Sequence, residues 1–184
     1  LLDNLKKTNP ALVDEVVPEV LVVGEVQKVL ANLLAERVSI RDMETILEVL
    51  SDYGRATKDT DILTEYVRHA LARQISQQYV QNNVLPCITL DPGLENQIAG
   101  AVQRTEHGSY VSLDPDAMQR LLASLNAELP KLTNMGYEPI VLTSPAVRTY
   151  FRQLVERSVQ GLVVLSHAEI EQTVELQILG TVRI

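Results

Sequence analysis

Three histidines, a single cysteine and scattered serines and carboxylates are the residues with which this sequence could do chemistry. His69 falls in a helical pattern, His107 in a loop and His167 at a strand end, and no two have the spacing of zinc ligands. Cys87 has no second cysteine to pair with, and Leu85, Ile88 and Leu90 around it predict a buried core thiol in a reducing cytosol. Ser166 and His167 are adjacent, so their side chains diverge around a strand end instead of pairing as nucleophile and base. Asp59-Thr60-Asp61 opens like a calcium loop but lacks the glycine and the closing glutamate. The sequence carries no Gly-x-Ser-x-Gly, no glycine-rich phosphate loop and no dinucleotide fingerprint. Neither catalysis nor a bound metal or cofactor is therefore expected of this chain.

Two other features invite a functional reading. Ser144 and Ser166 fall at the carboxyl ends of expected parallel strands, where open sheets bind ligands, and the amides after Ser144-Pro145 could take an anion. The plainer reading is a helix start at Ser-Pro, and it is preferred. Arg41 falls in the first turn of an expected helix, where a cation opposes the helix dipole at about 0.3–1 kcal/mol. Glu44, three residues on, could compensate within the chain, and a neighbouring subunit could do so instead. The residues leave both open.

The elements that position these residues are read from periodicity. Over 24–53, Val26, Val29, Leu30, Leu33 and Leu34 form one helical stripe, and Ile40, Met43, Ile46, Leu47 and Leu50 a second. Ser39 with Asp42 three residues later reads as a capping box, and a connection of only about three to five residues predicts packed, roughly antiparallel neighbours. Upstream, Asn9-Pro10 should open a short helix that stops by Pro18. Downstream, a long helix is expected over about 61–79, with Leu63, Tyr66, Val67, Ala70, Leu71 and Ile75 inward and Glu65, Arg68, His69, Arg73 and Gln77 outward.

After Gln81-Asn82-Asn83 the pattern changes to short Val/Ile/Leu runs alternating with helical stretches. Strands are expected at 87–91, 110–113, 139–144, 162–167 and 173–182, the last at a sheet edge. The strand-helix-strand unit over 139–167 should be parallel with a right-handed crossover. The expected fold is thus α followed by α/β: an all-helical bundle over 1–83, then a small α/β subdomain over 84–184 with a mixed sheet.

Each half carries a net charge of −4 within a total of −8, and with a pI of about 4.9 no basic surface for nucleic acid or anionic lipid is expected. No apolar run approaches the ~20 residues that span a bilayer. The chain opens on Leu1 and not Met, and is expected to be a fragment. From the residues alone, a small-molecule-binding regulatory domain with a helical dimerisation module remains an alternative.

The stretch GEVQKVLANLLAERVSIRDMETILEVLSDY, followed by TKDTDILTEYVRHALARQI, resembles the cytoplasmic part of the FlhA/LcrD family. These are export gates of flagellar and virulence type III secretion, in the bacterial inner membrane. The wording YVRHALARQI is closer to the flagellar branch. The resemblance continues through PIVLTSPAVRTYFRQLVERSV and LVVLSHAEI and lapses only around 103–113. It implies a ring built by the helical half, with Arg41 and Asp42 (from IRDM) and Arg68 (from LTEYVRHALARQI) at or near the subunit interface. It also implies an α/β half facing export substrates, chaperones and the ATPase complex with its stalk. The family's main chaperone cleft and its membrane region lie upstream of what Leu1 begins, so chaperone binding by this chain should be weak.

Overall fold

The computed structural model describes all residues, Leu1–Ile184, and its contacts divide them into two compact units, Leu1–Ile75 and Ser76–Ile184. The residues just before the second unit's first strand belong with it: Gln81 and Val84 exchange backbone bonds, and Asn83 Nδ2 donates to Thr173 O at 2.7 Å.

The first unit is helical: α1 (Leu2–Thr8), α2 (Pro10–Val16), α3 (Val23–Ala35), α4 (Met43–Tyr53), α5 (Thr60–Ala70) and the start of α6 (Ala72–Gln77). Asn9 caps α2 as its type predicts, its Oδ1 accepting from Leu12 N–H at 3.3 Å. Asp59, the false calcium signal, caps α5 by accepting from Asp61 N–H and Ile62 N–H. Val29 and Leu33 of α3, Ile46, Leu47 and Leu50 of α4, and Leu63 and Val67 of α5 are fully buried, each such side chain contributing roughly 1.5–3 kcal/mol.

Three expectations for this unit are corrected. α3 and α4 pack mainly on α5 and not along each other. The chain between them first closes α3 with backbone bonds from Arg37 to Leu34 and from Val38 to Leu33, Arg37 taking the left-handed conformation at φ 60°, and then runs non-helical to Asp42. Asp42, not Ser39, caps α4: its carboxylate takes both Thr45 N–H at 3.1 Å and Thr45 Oγ1–H at 2.7 Å, whereas Ser39 Oγ accepts only from Arg41 N–H. Arg41 therefore precedes the helix and does not stand in its first turn.

The third correction concerns the long helix, which is interrupted at Leu71 and whose buried face is rotated. Thr64 and Arg68 point inward, while Tyr66 and Ala70 do not. The polar pair can be buried because both are satisfied: Thr64 Oγ1 donates to Thr60 O and accepts from Asn32 Nδ2, and Arg68 meets Glu36.

The second unit holds β1 (Val84–Leu90), α7 (Pro92–Gly100), β2 (Val102–Thr105), β3 (Gly108–Val111), α8 (Pro115–Glu128), α9 (Pro130–Thr133), β4 (Ile140–Thr143), α10 (Arg148–Val155), β5 (Val163–Ser166), a 3-10 turn at His167–Glu169 and β6 (Glu175–Val182). Four strands make one sheet in the order β5-β4-β1-β6, every pairing parallel, with the expected strand-helix-strand unit as β4-α10-β5 and β6 at the edge. The antiparallel pairing of this half is separate, in the β2-β3 hairpin. That hairpin occupies the tract where the family resemblance lapses. Ala101 and Val102 continue the apolar spacing of Leu94 and Ile98, yet α7 stops at Gly100, and Thr105 Oγ1 accepts from His107 N–H and donates to Gly108 O in a tight turn between two strands.

Pro86 lies inside β1, where a ladder donor is missing. It is tolerated because β4 pairs with β1 only at Ile88 and Thr89, so this part of β1 faces β6 alone. On one face of the sheet, Ile88, Val141, Val164 and Val182 pack with Leu121, Leu125 and Phe151 in one continuous core.

Candidate self-association surface

Around Arg41 the backbone is fixed from both sides. Gln74 Nε2 donates to Ser39 O at 3.2 Å, and Asp42 is held by its two bonds to Thr45. Glu44, the intrachain partner that spacing suggested for Arg41, instead accepts from Asn9 Nδ2 at 3.0 Å. The Arg41 side chain is exposed and makes no ion pair or hydrogen bond within the chain. A rigid backbone presenting an unpaired guanidinium is suited to a planar, bidentate or aromatic partner outside the chain.

Arg68 is elsewhere. It is 2% exposed, and its Nη1 lies 3.6 Å from Glu36 Oε2, at the carboxyl end of α3. A guanidinium enclosed in this way is a core residue of its own unit. Of the three motif residues, then, the structure brings Arg41 and Asp42 together at the start of α4 and puts Arg68 inside.

In the α/β unit, Ser144 and Ser166 do end adjacent parallel strands, paired through Thr143 and Ser166. Their amides already face carboxylates of the chain: Ser144 N–H donates to Glu95 Oε1 at 3.1 Å, and Ser166 N–H to Glu169 Oε2 at 3.5 Å. Glu169 is in turn paired with Arg148, Nε to Oε1 3.5 Å, at 1% and 2% exposure, while Arg148 Nη1 donates to Val164 O at 3.0 Å. An incoming anion would have to displace Glu95 or Glu169. Ser144-Pro145 does not open the helix directly, since α10 begins at Arg148 after a turn in which Val147 N–H bonds Ser144 O.

His69, His107 and His167 are exposed on separate elements, and no group of three or more metal-capable side chains is assembled. Cys87 is fully buried in β1, and that burial pushes its thiol pKa from 9.0 up to about 11.

Against known proteins, the sequence pattern of the FHIPEP family matches residues 1–175. The chain belongs to the FHIPEP family. Among its FHIPEP relatives, the flagellar biosynthesis protein FlhA of Bacillus subtilis is 49% identical over 185 residues, covering 100% of this chain and 27% of that protein. The low calcium response locus protein D of Yersinia pestis is 33% identical over 183 residues, covering 99% and 26%. Both branches of the resemblance are thus found, and the chain spans about a quarter of the length of these relatives. In structure, the Chlamydia pneumoniae CdsV protein superposes with a TM-score of 0.90 at 34% identity, over 99% of this chain and 52% of that one. The nonameric EPEC SctV-C gives 0.87 at 31% identity, over 98% and 54%. These neighbours share both the helical and the α/β part of the fold.

Sequence reading of this FHIPEP chain missed two arrangements. One is the buried pair Arg148–Glu169. Its signal was Arg148 standing at i, i+3, i+7 with Phe151 and Val155, on the buried stripe of α10. The other is a stack of Tyr53 on Tyr66, ring centroids 3.9 Å apart and planes within 5°, each ring 40% exposed. Two of the chain's seven aromatic residues meet there, from helices whose pairing no local spacing reveals.

Proposed function

We propose that this chain is a cytoplasmic portion of a bacterial inner-membrane export gate of the flagellar type, without catalysis of its own. In this reading the helical unit builds a ring of copies, and the α/β unit serves as a docking surface for export substrates with their chaperones and for the ATPase complex. The observation that carries it is the family match over nearly the whole chain. It is supported by the same fold in the nonameric EPEC SctV-C and by CdsV having been solved in complex with a second protein, CdsO. The exposed and unpaired Arg41 beside the capping Asp42 is the contact residue that the helical unit offers.

The test is a charge reversal. Arg41→Glu should abolish or strongly weaken self-association, followed by sedimentation velocity over a concentration range. Its thermal unfolding should stay within about 0.5 kcal/mol of the parent, as expected for an exposed side chain without partners. A variant that assembles like the parent removes Arg41 from the interface; one that unfolds makes it structural.

A further inference from the structure

We infer that Arg41 of one copy docks on the exposed Tyr53–Tyr66 stack of the next copy, with Asp52 as its counter-charge. The inference rests on the self-association proposed above and names its acceptor surface. A ring requires a head-to-tail contact, in which two different patches of the same chain meet. Arg41 is one such patch, at the start of α4. The complementary patch must lie elsewhere, offer negative potential and hold a planar cation.

The other end of α4 meets all three requirements. α4 has 11 residues, so its ends are separated by about 16 Å at 1.5 Å per residue. At that end Tyr53 stacks on Tyr66 of α5, both rings 40% exposed, and Ile62, one turn before Tyr66, is 38% exposed. Aromatic faces carry negative potential and take guanidinium groups by stacking. Asp52, beside Tyr53, is exposed and makes no ion pair or hydrogen bond within the chain. Arg55, three residues on, is exposed but does not pair with it. The helical unit thus leaves unpartnered a guanidinium at one end of α4, and a carboxylate beside an aromatic shelf at the other.

The experiment is a charge swap in the protein as the cell makes it, with assembly read by sedimentation velocity and intersubunit cross-linking, and folding checked by thermal denaturation of each variant. Asp52→Arg should weaken self-association at least tenfold, and so should Tyr53→Ala with Tyr66→Ala. Arg41→Glu combined with Asp52→Arg should associate at least threefold more tightly than either single variant, by recovering the charge pair but not the aromatic contact, which a merely structural role of either residue would not produce. If the parent assembles and Arg41→Glu disrupts it, while Asp52→Arg and the tyrosine variants do not, the acceptor lies elsewhere and this inference falls although the ring reading stands. A parent that does not assemble overturns both.

Discussion

Each unit buries one arginine against one glutamate, and the two pairs are built differently. In the α/β unit Arg148 and Glu169 are sealed, at 1% and 2% exposure, with further bonds to Val164 O and from Ser166 N–H. In the helical unit Arg68 is equally sealed, but Glu36 keeps 11% exposure and comes from the last turn before a loop. A buried ion pair adds little net stability, because desolvation offsets most of the Coulomb gain, yet removing one partner strands the other. The comparison therefore separates a saturated polar joint inside a sheet from one with a window to solvent.

The largest effect should come from opening the sealed joint. Arg148→Ala removes the cation that faces buried Glu169, and should cost about 3–5 kcal/mol in urea denaturation. The double variant Arg148→Met with Glu169→Leu should lose less than Arg148→Ala alone, since no stranded charge remains. Arg68→Ala should cost less, about 1–3 kcal/mol, because water can reach Glu36. Equal losses at Arg68 and Arg148 would show that the window at Glu36 has no energetic meaning.

The same two arginines mark what could be read from the sequence and what could not. Each stands at i, i+3, i+7 with buried apolar residues, Leu71 and Ile75 for Arg68, Phe151 and Val155 for Arg148. The periodic pattern that located the helices thus also contained the warning, but charge led to an outward assignment for Arg68, and Arg148 went unread. The glutamate partners lie 32 and 21 residues away, at the end of α3 and in the 3-10 turn, beyond the reach of any helical spacing. Parallel β4-α10-β5 was legible because its apolar runs are long and its punctuation clear. Of the β2-β3 hairpin only the second strand was legible, because Val102 continues the apolar stripe of α7 and nothing local tells the helix to stop at Gly100. Arg41 was legible as a cation near the start of α4, but not as one standing before the helix; the Tyr53–Tyr66 shelf needed the packing of α4 on α5.

Cys87 sharpens the contrast in a second way, since the α/β unit alone carries a buried titratable thiol. Burial raises its pKa from 9.0 to about 11, so the folded chain holds the proton that the unfolded chain releases. The sign follows from linkage: stability from this group is fully present below pH 9, falls as pH rises, and is lost through about pH 11. Unfolding monitored from pH 8 to 11 should show the parent losing on the order of 1–2 kcal/mol more than Cys87→Ala over that window. Identical slopes for the two would mean that the thiolate is accommodated in the folded sheet.

The smallest effect compares two helix ends with one hydrogen-bond pattern. After α3, the amides of Glu36, Arg37 and Val38 bond the carbonyls of Leu33, Leu34 and Leu33; after α9, those of Met135, Gly136 and Tyr137 bond Leu132, Thr133 and Leu132. The left-handed residue is Arg37 at φ 60° in the first and Gly136 at φ 81° in the second. A side chain in that conformation costs roughly 1 kcal/mol, so the end of α3 holds strain that the end of α9 does not. Arg37→Gly should therefore stabilise by about 1 kcal/mol and Gly136→Ala destabilise by about as much, the added methyl meeting no atom within 4 Å. Arg37→Ala is the control, because it removes the Arg37 side-chain contacts without relieving the backbone. If Arg37→Gly is no more stable than Arg37→Ala, the loop leading to Arg41 is unstrained, and its rigidity comes from Gln74 and Asp42 alone.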